Sequence, residues 1–302
     1  MKSESFGDEQ EDIDSQQCSS GLDDHEQNEV VDADDEGEIP DIVEIKKYRV
    51  VRGVSSGGCA TRPPKEAKNS TSKFVKVKLH LSNADGNELC LPEWNLLERE
   101  DGRRIIRVER RQNRENIVAS FSVVGSAIDH PAPVPAPEGV DVVEVSCLEC
   151  IVDENYDDFE DPLESQIQQQ PQQHLKTAKK LAGKKNGSKT EYYITSVEVI
   201  KIVELLIGSQ KADGPNKRRE RGRIRSNLVP FWSRKPVSSK KGLSPSASPI
   251  EVRDFRIELA QRIMGYETRK PRGFDKEVRI LKWDKLVPAL KRALQSYYIE
   301  IP

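Results

Sequence analysis

Between Lys217 and Trp232 the chain reads KRRERGRIRSNLVPFW, and six of the first nine residues are Lys217, Arg218, Arg219, Arg221, Arg223 and Arg225. A guanidinium presents a planar fork of donors that fits a phosphate or a guanine edge. If residues 216–228 are helical, Arg218, Arg221 and Arg225 share one face, while Ile224 and Leu228 form a thin apolar seam against a core. Six such contacts to a polyanion would make binding fall steeply with salt through counterion release. Phe231 and Trp232 could stack on bases, but aromatic anchors that return the chain to the core are the preferred reading.

The same letters admit two other accounts. Import receptors read short basic clusters, and KKLAGKK (Lys179, Lys180, Lys184, Lys185), KRRER (Lys217, Arg218, Arg219) and SRKPVSSKK at 233–241 are all of that kind. A merely solvated helix face is the other. A second basic group, Lys270 and Arg272 in KPRGFDK with Lys291 and Arg292 further on, is a candidate for the same surface. Ser244 and Ser248 each precede proline in LSPSASP. Phosphate there would place negative charge beside Lys240 and Lys241, and at Ser248 it would meet an expected helix N-terminus.

Catalytic chemistry has no comparable foothold. Walker-type, HExxH and strand-to-helix GxGxxG patterns are missing, so neither an enzyme nor a cofactor nor a small-molecule substrate is expected. Cys147 and Cys150 form a CxxC, but they sit in VVEVSCLECIVD, whose alternation is that of a strand and points residues three apart to opposite faces. With Cys18, Cys59 and Cys90 scattered, and His25, His80, His130 and His174 equally so, no metal site is expected.

The elements that must position the arginines follow from pattern. Residues 1–45 hold 17 acidic residues against one lysine, a net of −16, so the rest carries +13 within a total of −3. The first 45 residues are therefore expected to be a disordered acidic tail, and residues 46–302 the folded body. MKSESFGDEQEDID lacks the basic start and apolar core of a secretory signal, and no apolar run reaches bilayer length, so a soluble intracellular protein without membrane contact is expected. Strands are expected at IKKYRVV, KFVKVKLHL, residues 142–152, EYYITS and EVRILKW, with a hairpin in RRIIRVERRQNRENIVASFSVV that has one apolar and one strongly basic face. A helical turn is expected in LPEWNLLERED, starting at Pro92. Thr195 and Glu198 make a capping box for a helix that Gly208 stops. Ser248, Pro249 and Glu251 announce another helix ending at Gly265, and a last one runs from about Asp284 with Leu286, Leu290, Leu294 and Tyr297 inside. The fold class is α+β: mostly antiparallel strands first, three or four helices later, with disordered insertions at about 160–190 and 233–247.

Taken in order, PEW, GRRIIRVERRQNRENIVASF, VSCLECI, EYYITSVEVIKIVELLIG, RIRSNLVPF, IMGYETRKPRGFDKEVRILKW and LVPALKRAL resemble the conserved domain of the fungal medusa-type developmental regulators over roughly residues 92–298. The insertion at 164–190 and the acidic N-terminus are additions to that pattern. The resemblance implies a nuclear protein controlling transcription in asexual development and conidiation, with no catalytic mechanism. DNA or chromatin, transcription coregulators and an import receptor are the partners expected. The alternative is a transcriptional cofactor that docks protein partners without touching DNA. An RNA-binding role lacks the aromatic-bearing sheet motif it requires.

Overall fold

The computed structural model describes residues 47–56, 61–91, 93–153, 187–210, 214–237, 254–271 and 278–302. Strands β1 (Arg49–Arg52), β2 (Val54–Ser55), β3 (Thr61–Arg62), β4 (Lys73–Lys76) and β5 (Lys78–Ser82) lead into helices α1 (Gly86–Cys90) and α2 (Leu96–Asp101). Strands β6 (Arg103–Asn113), β7 (Asn116–Gly125), β8 (Asp141–Asp153) and β9 (Ser188–Thr195) follow. Helices α3 (Ser196–Leu206), α4 (Pro215–Asn227) and α5 (Phe255–Gly265), strand β10 (Ile280–Lys282), helix α6 (Leu286–Leu294) and strand β11 (Tyr297–Ile301) complete an α+β fold. None of these helices is long and apolar enough to cross a membrane.

A six-stranded sheet ordered β10-β9-β8-β6-β7-β5 forms the centre, antiparallel except where β5 runs parallel to β7. A smaller sheet is ordered β1-β11-β4, and Tyr297 and Ile299 of β11 share the core of the central sheet. The hairpin forms as its alternation dictates, with Ile106 opposite Val123 and Val108 opposite Phe121, and Arg114 at φ 51° in the turn. KFVKVKLHL, expected as one run, breaks at Val77 and contributes β4 and β5 to different sheets.

Both faces of the central sheet are covered. Ile106, Val108, Phe121, Val145, Cys147 and Ile194 pack with α3, α6 and the inner residues of α4. On the opposite face Leu148, Cys150 and Tyr193 pack against Phe255, Leu259 and Ile263 of α5. Cys147 and Cys150 therefore divide between the two cores, as their spacing in a strand requires. Burial pushes the Cys150 thiol up to about 12.

The expected basic face of the hairpin does not stay open: Arg103 and Arg107 on it are covered by the chain that follows α5 and by the Pro-rich segment, while Arg104 and Arg110 lie on the opposite face with Ile106 and Val108. Arg103, Arg104, Arg107 and Arg110 are all buried, and burying such groups is costly unless their donors find partners. Arg103 donates to the carbonyls of Thr268 and Arg269 and lies 3.7 Å over the Tyr266 ring. Arg107 holds the Pro-rich segment by the carbonyls of Val134 and Pro135, at 2.8 and 3.1 Å. Arg110 donates to the Leu206 carbonyl at the end of α3 and pairs with Asp141. Arg104 forms a bidentate pair with Glu98 at 2.7 and 3.0 Å.

Several boundaries also move. Asn95, not Pro92, caps α2, through a capping box with Glu98. Asp254, not Ser248, caps α5, its carboxylate accepting from the Arg256 N–H. Tyr297 belongs to β11 rather than to the last helix. Strand β9 begins at Ser188, inside the stretch expected as an insertion, and the chain from Ser233 to Val237 is ordered by a Val237–Val278 bridge. The acidic tail and the rest of both expected insertions lie outside the described residues.

Helix α3 starts as its sequence predicts, the Thr195 hydroxyl accepting from the Glu198 N–H, and Gly208 follows it at φ 68°. The Glu198 side chain departs from a simple capping box: it accepts from the Thr195 hydroxyl and the Ser146 N–H at 2.7 and 2.8 Å. Burial pushes its carboxyl above the usual range, despite those bonds. A carboxyl raised in the folded state contributes its full stability below its unfolded value and loses it as pH rises through the folded one. Glu198→Gln should therefore gain stability relative to wild type as pH goes from about 4 to 7.5, read as urea midpoints. A gain that shrinks over that range would contradict this placement.

Candidate nucleic-acid interface

Helix α4 carries the basic run. Pro215 opens it at a position where the missing N–H costs nothing, after Gly214 at φ 80°. Its apolar seam is as narrow as expected: Ile224 and, just past its end, Leu228 are buried, and the helix is otherwise polar. A helix with so little to bury needs other anchors. They are charged. Arg221 donates two bonds, at 2.6 and 3.0 Å, to Glu204 of α3, whose carboxylate is only 5 % exposed. On the other flank Glu220 accepts from Arg52 of β1 at 2.6 Å and from the Tyr297 hydroxyl of β11. At the C-terminal end the Asn227 amide donates to the Arg292 carbonyl at 3.3 Å. Phe231 and Trp232 then pack partly buried against the core, the indole N–H donating to the Arg225 carbonyl. They are anchors rather than open stacking platforms.

The two carboxylates nearest α4 are thus spent on holding it. Arg218 and Arg219 are exposed and make no ion pair among the described residues. Arg223 is half exposed and 3.4 Å from Glu220, and Arg225 is exposed. Two grooves flank the helix. One, of about 560 Å³, is lined by Arg52, Arg219, Arg223 and Arg292 with hydroxyl and amide side chains, and among the described residues no carboxylate lines it. The other, of about 900 Å³, is lined by Lys201, Lys217, Arg218, Arg221 and Arg225, with Glu204 already paired. Each is suited to an extended anion.

The sequence-derived site is therefore split by the structure. Arg218, Arg219, Arg223 and Arg225 lie together on the outer surface. Arg221 is withdrawn into an anchor, and the Lys217 ammonium donates to the Gln210 carbonyl at 2.8 Å. Lys270 lies in a third groove beneath the Pro-rich segment, with its ammonium on the Met264 carbonyl, and is not part of the Arg219–Arg223 groove. Arg272, Lys179, Lys180, Lys184, Lys185, Ser244 and Ser248 lie outside the described residues. Because α5 begins at Phe255, Ser248 does not open it.

Arg52 and Lys201 were missed. Arg52 reaches the site through contacts 168 residues away in sequence, for which no local signal exists. Lys201, the lone cation of an apolar helix, was in principle visible.

Replacing Arg221 by Ala should cost about 1–3 kcal/mol, because the Glu204 carboxylate is then buried without its partner. Arg221→Lys should recover only part, since an ammonium cannot reproduce the two-pronged bond. Denaturant midpoints for the three proteins measure this; equal values would mean Glu204 is solvated.

No curated protein and no solved structure matches the chain. A family model described as Domain of unknown function (DUF7082) matches residues 76–294, a span that contains α1 to α6, and the protein belongs to that family.

Proposed function

We propose that the protein is a nuclear transcription regulator that contacts DNA or chromatin through the outer surface of α4. The observation that supports this reading is the division of charge on one helix. Glu220 and Glu204 are consumed by inward contacts, while Arg218 and Arg219 stand outward without ion pairs among the described residues, beside grooves lined by further cations. Fixed cations around a groove raise the local concentration of an anion and steer its approach. The resemblance to medusa-type regulators supports the nuclear, developmental part of the proposal, and the import clusters belong to it.

The test is photochemical cross-linking of the full-length chain to duplex DNA, followed by peptide mapping. Adducts are expected between Pro215 and Asn227 and near Arg292. A protein that forms none, or forms them only in the acidic or Gln/Lys-rich segments, would instead act as a cofactor docking other proteins.

A further inference from the structure

The cations of α4 are not spread evenly round its outer half. At 100° per residue, Arg219 and Arg223 run along one edge and Arg218 and Arg225 along the other. Between these rows the crown of the helix carries Pro215, Gly222 and Ser226, all exposed and all small. A Cβ added at Gly222 would meet nothing within 4 Å. Each row faces its own groove: Arg219 and Arg223 share theirs with Arg52 and Arg292, Arg218 and Arg225 theirs with Lys201, and no residue lines both. The helix is a ridge between two cation-lined troughs.

A ridge of this form has a natural counterpart. The major groove of a duplex is about 12 Å wide and admits one α-helix, about 10–12 Å across. It is bordered by a phosphate strand on either side. Resting on the reading of α4 as a nucleic-acid surface, we infer that α4 enters the major groove of double-stranded DNA. One arginine row contacts each bordering strand, and the troughs accommodate the backbones. The small crown leaves no long side chain to read base edges from the centre of the helix, so recognition is by phosphate position and groove shape, with little dependence on sequence.

Strand-specific hydroxyl-radical footprinting tests this, using the full-length protein on a 24-base-pair mixed-sequence duplex with each strand labelled in turn, and guanine N7 methylation as the groove marker. The wild type should protect both strands across one major groove and shield N7. Arg219→Ala/Arg223→Ala should restore cleavage on one strand, and Arg218→Ala/Lys201→Ala on the other. An unrelated duplex should bind within a few-fold. Protection of a single strand, equal loss on both strands from either pair, unshielded N7, or strong sequence preference would overturn the straddling arrangement while leaving a nucleic-acid surface intact. Absence of any footprint at low salt would overturn both readings. Unchanged thermal melting of the variants excludes loss of fold.

Discussion

Glu98→Ala is expected to lose about 3–5 kcal/mol of stability, because it strands the Arg104 guanidinium inside the protein. The two side chains are 2 % and 3 % exposed. Arg104 spends its other donors on the Leu89 and Glu93 carbonyls at 3.1 and 2.7 Å and lies 4.9 Å over the Trp94 ring. Glu98 also accepts from the Asn95 N–H that starts α2. Removing the carboxylate therefore takes away a counter-charge and a helix cap together, with no route for water to replace either. For a body of this size the loss corresponds to a fall in melting temperature on the order of 10 °C. The double variant Glu98→Leu/Arg104→Met should recover part of it, since no charge is then buried, though two carbonyls lose their donor. A single variant within about 1 kcal/mol of wild type would mean that solvent reaches the pair.

Changing Arg218, Arg219 and Arg223 together to Ala should lower duplex affinity by on the order of 10²-fold at about 0.1 M salt, with little change in stability. Each phosphate neutralised contributes a factor that scales as salt concentration to the power of about −0.9, and three contacts are removed. Arg221 is deliberately left in place. Its loss would weaken binding by freeing the helix rather than by removing a contact, and affinity alone cannot tell those apart. Glu220→Gln gives the complementary result. It weakens the tie to Arg52 and Tyr297 without removing an outward cation, so stability falls while the number of phosphate contacts is preserved.

The contrast between these two predictions follows what local sequence can carry. The start of α3, the stop at Gly208, the hairpin register and the opposed faces of Cys147 and Cys150 depend on residues a few positions apart, and all were legible. The interior fate of Arg103, Arg104, Arg107 and Arg110 was not: an alternating strand looks the same whether the face of Arg103 and Arg107 meets water or a covering segment, and the carbonyls that receive Arg104 and Arg110 on the other face arrive only in the tertiary fold. The same blindness applies within the basic run. Arg218 and Arg221 are indistinguishable by type and spacing, and only the arrival of Glu204 from α3 turns one into an anchor and leaves the other outside. The Cys90 and Cys147 sulfurs, 3.3 Å apart in the core, and the pairing of β11 between β1 and β4 likewise depend on elements joined only by the tertiary fold.

The central claim is that the outer arginines of α4 neutralise nucleic-acid phosphates, and the dependence of duplex affinity on salt measures it most directly. Plotting log Kobs against log salt for the full-length wild type and the Arg218/Arg219/Arg223 triple alanine variant, the slope should become shallower by about 2.7, or 0.9 for each contact removed. Parallel lines for the two proteins would contradict the account, whatever their absolute affinities.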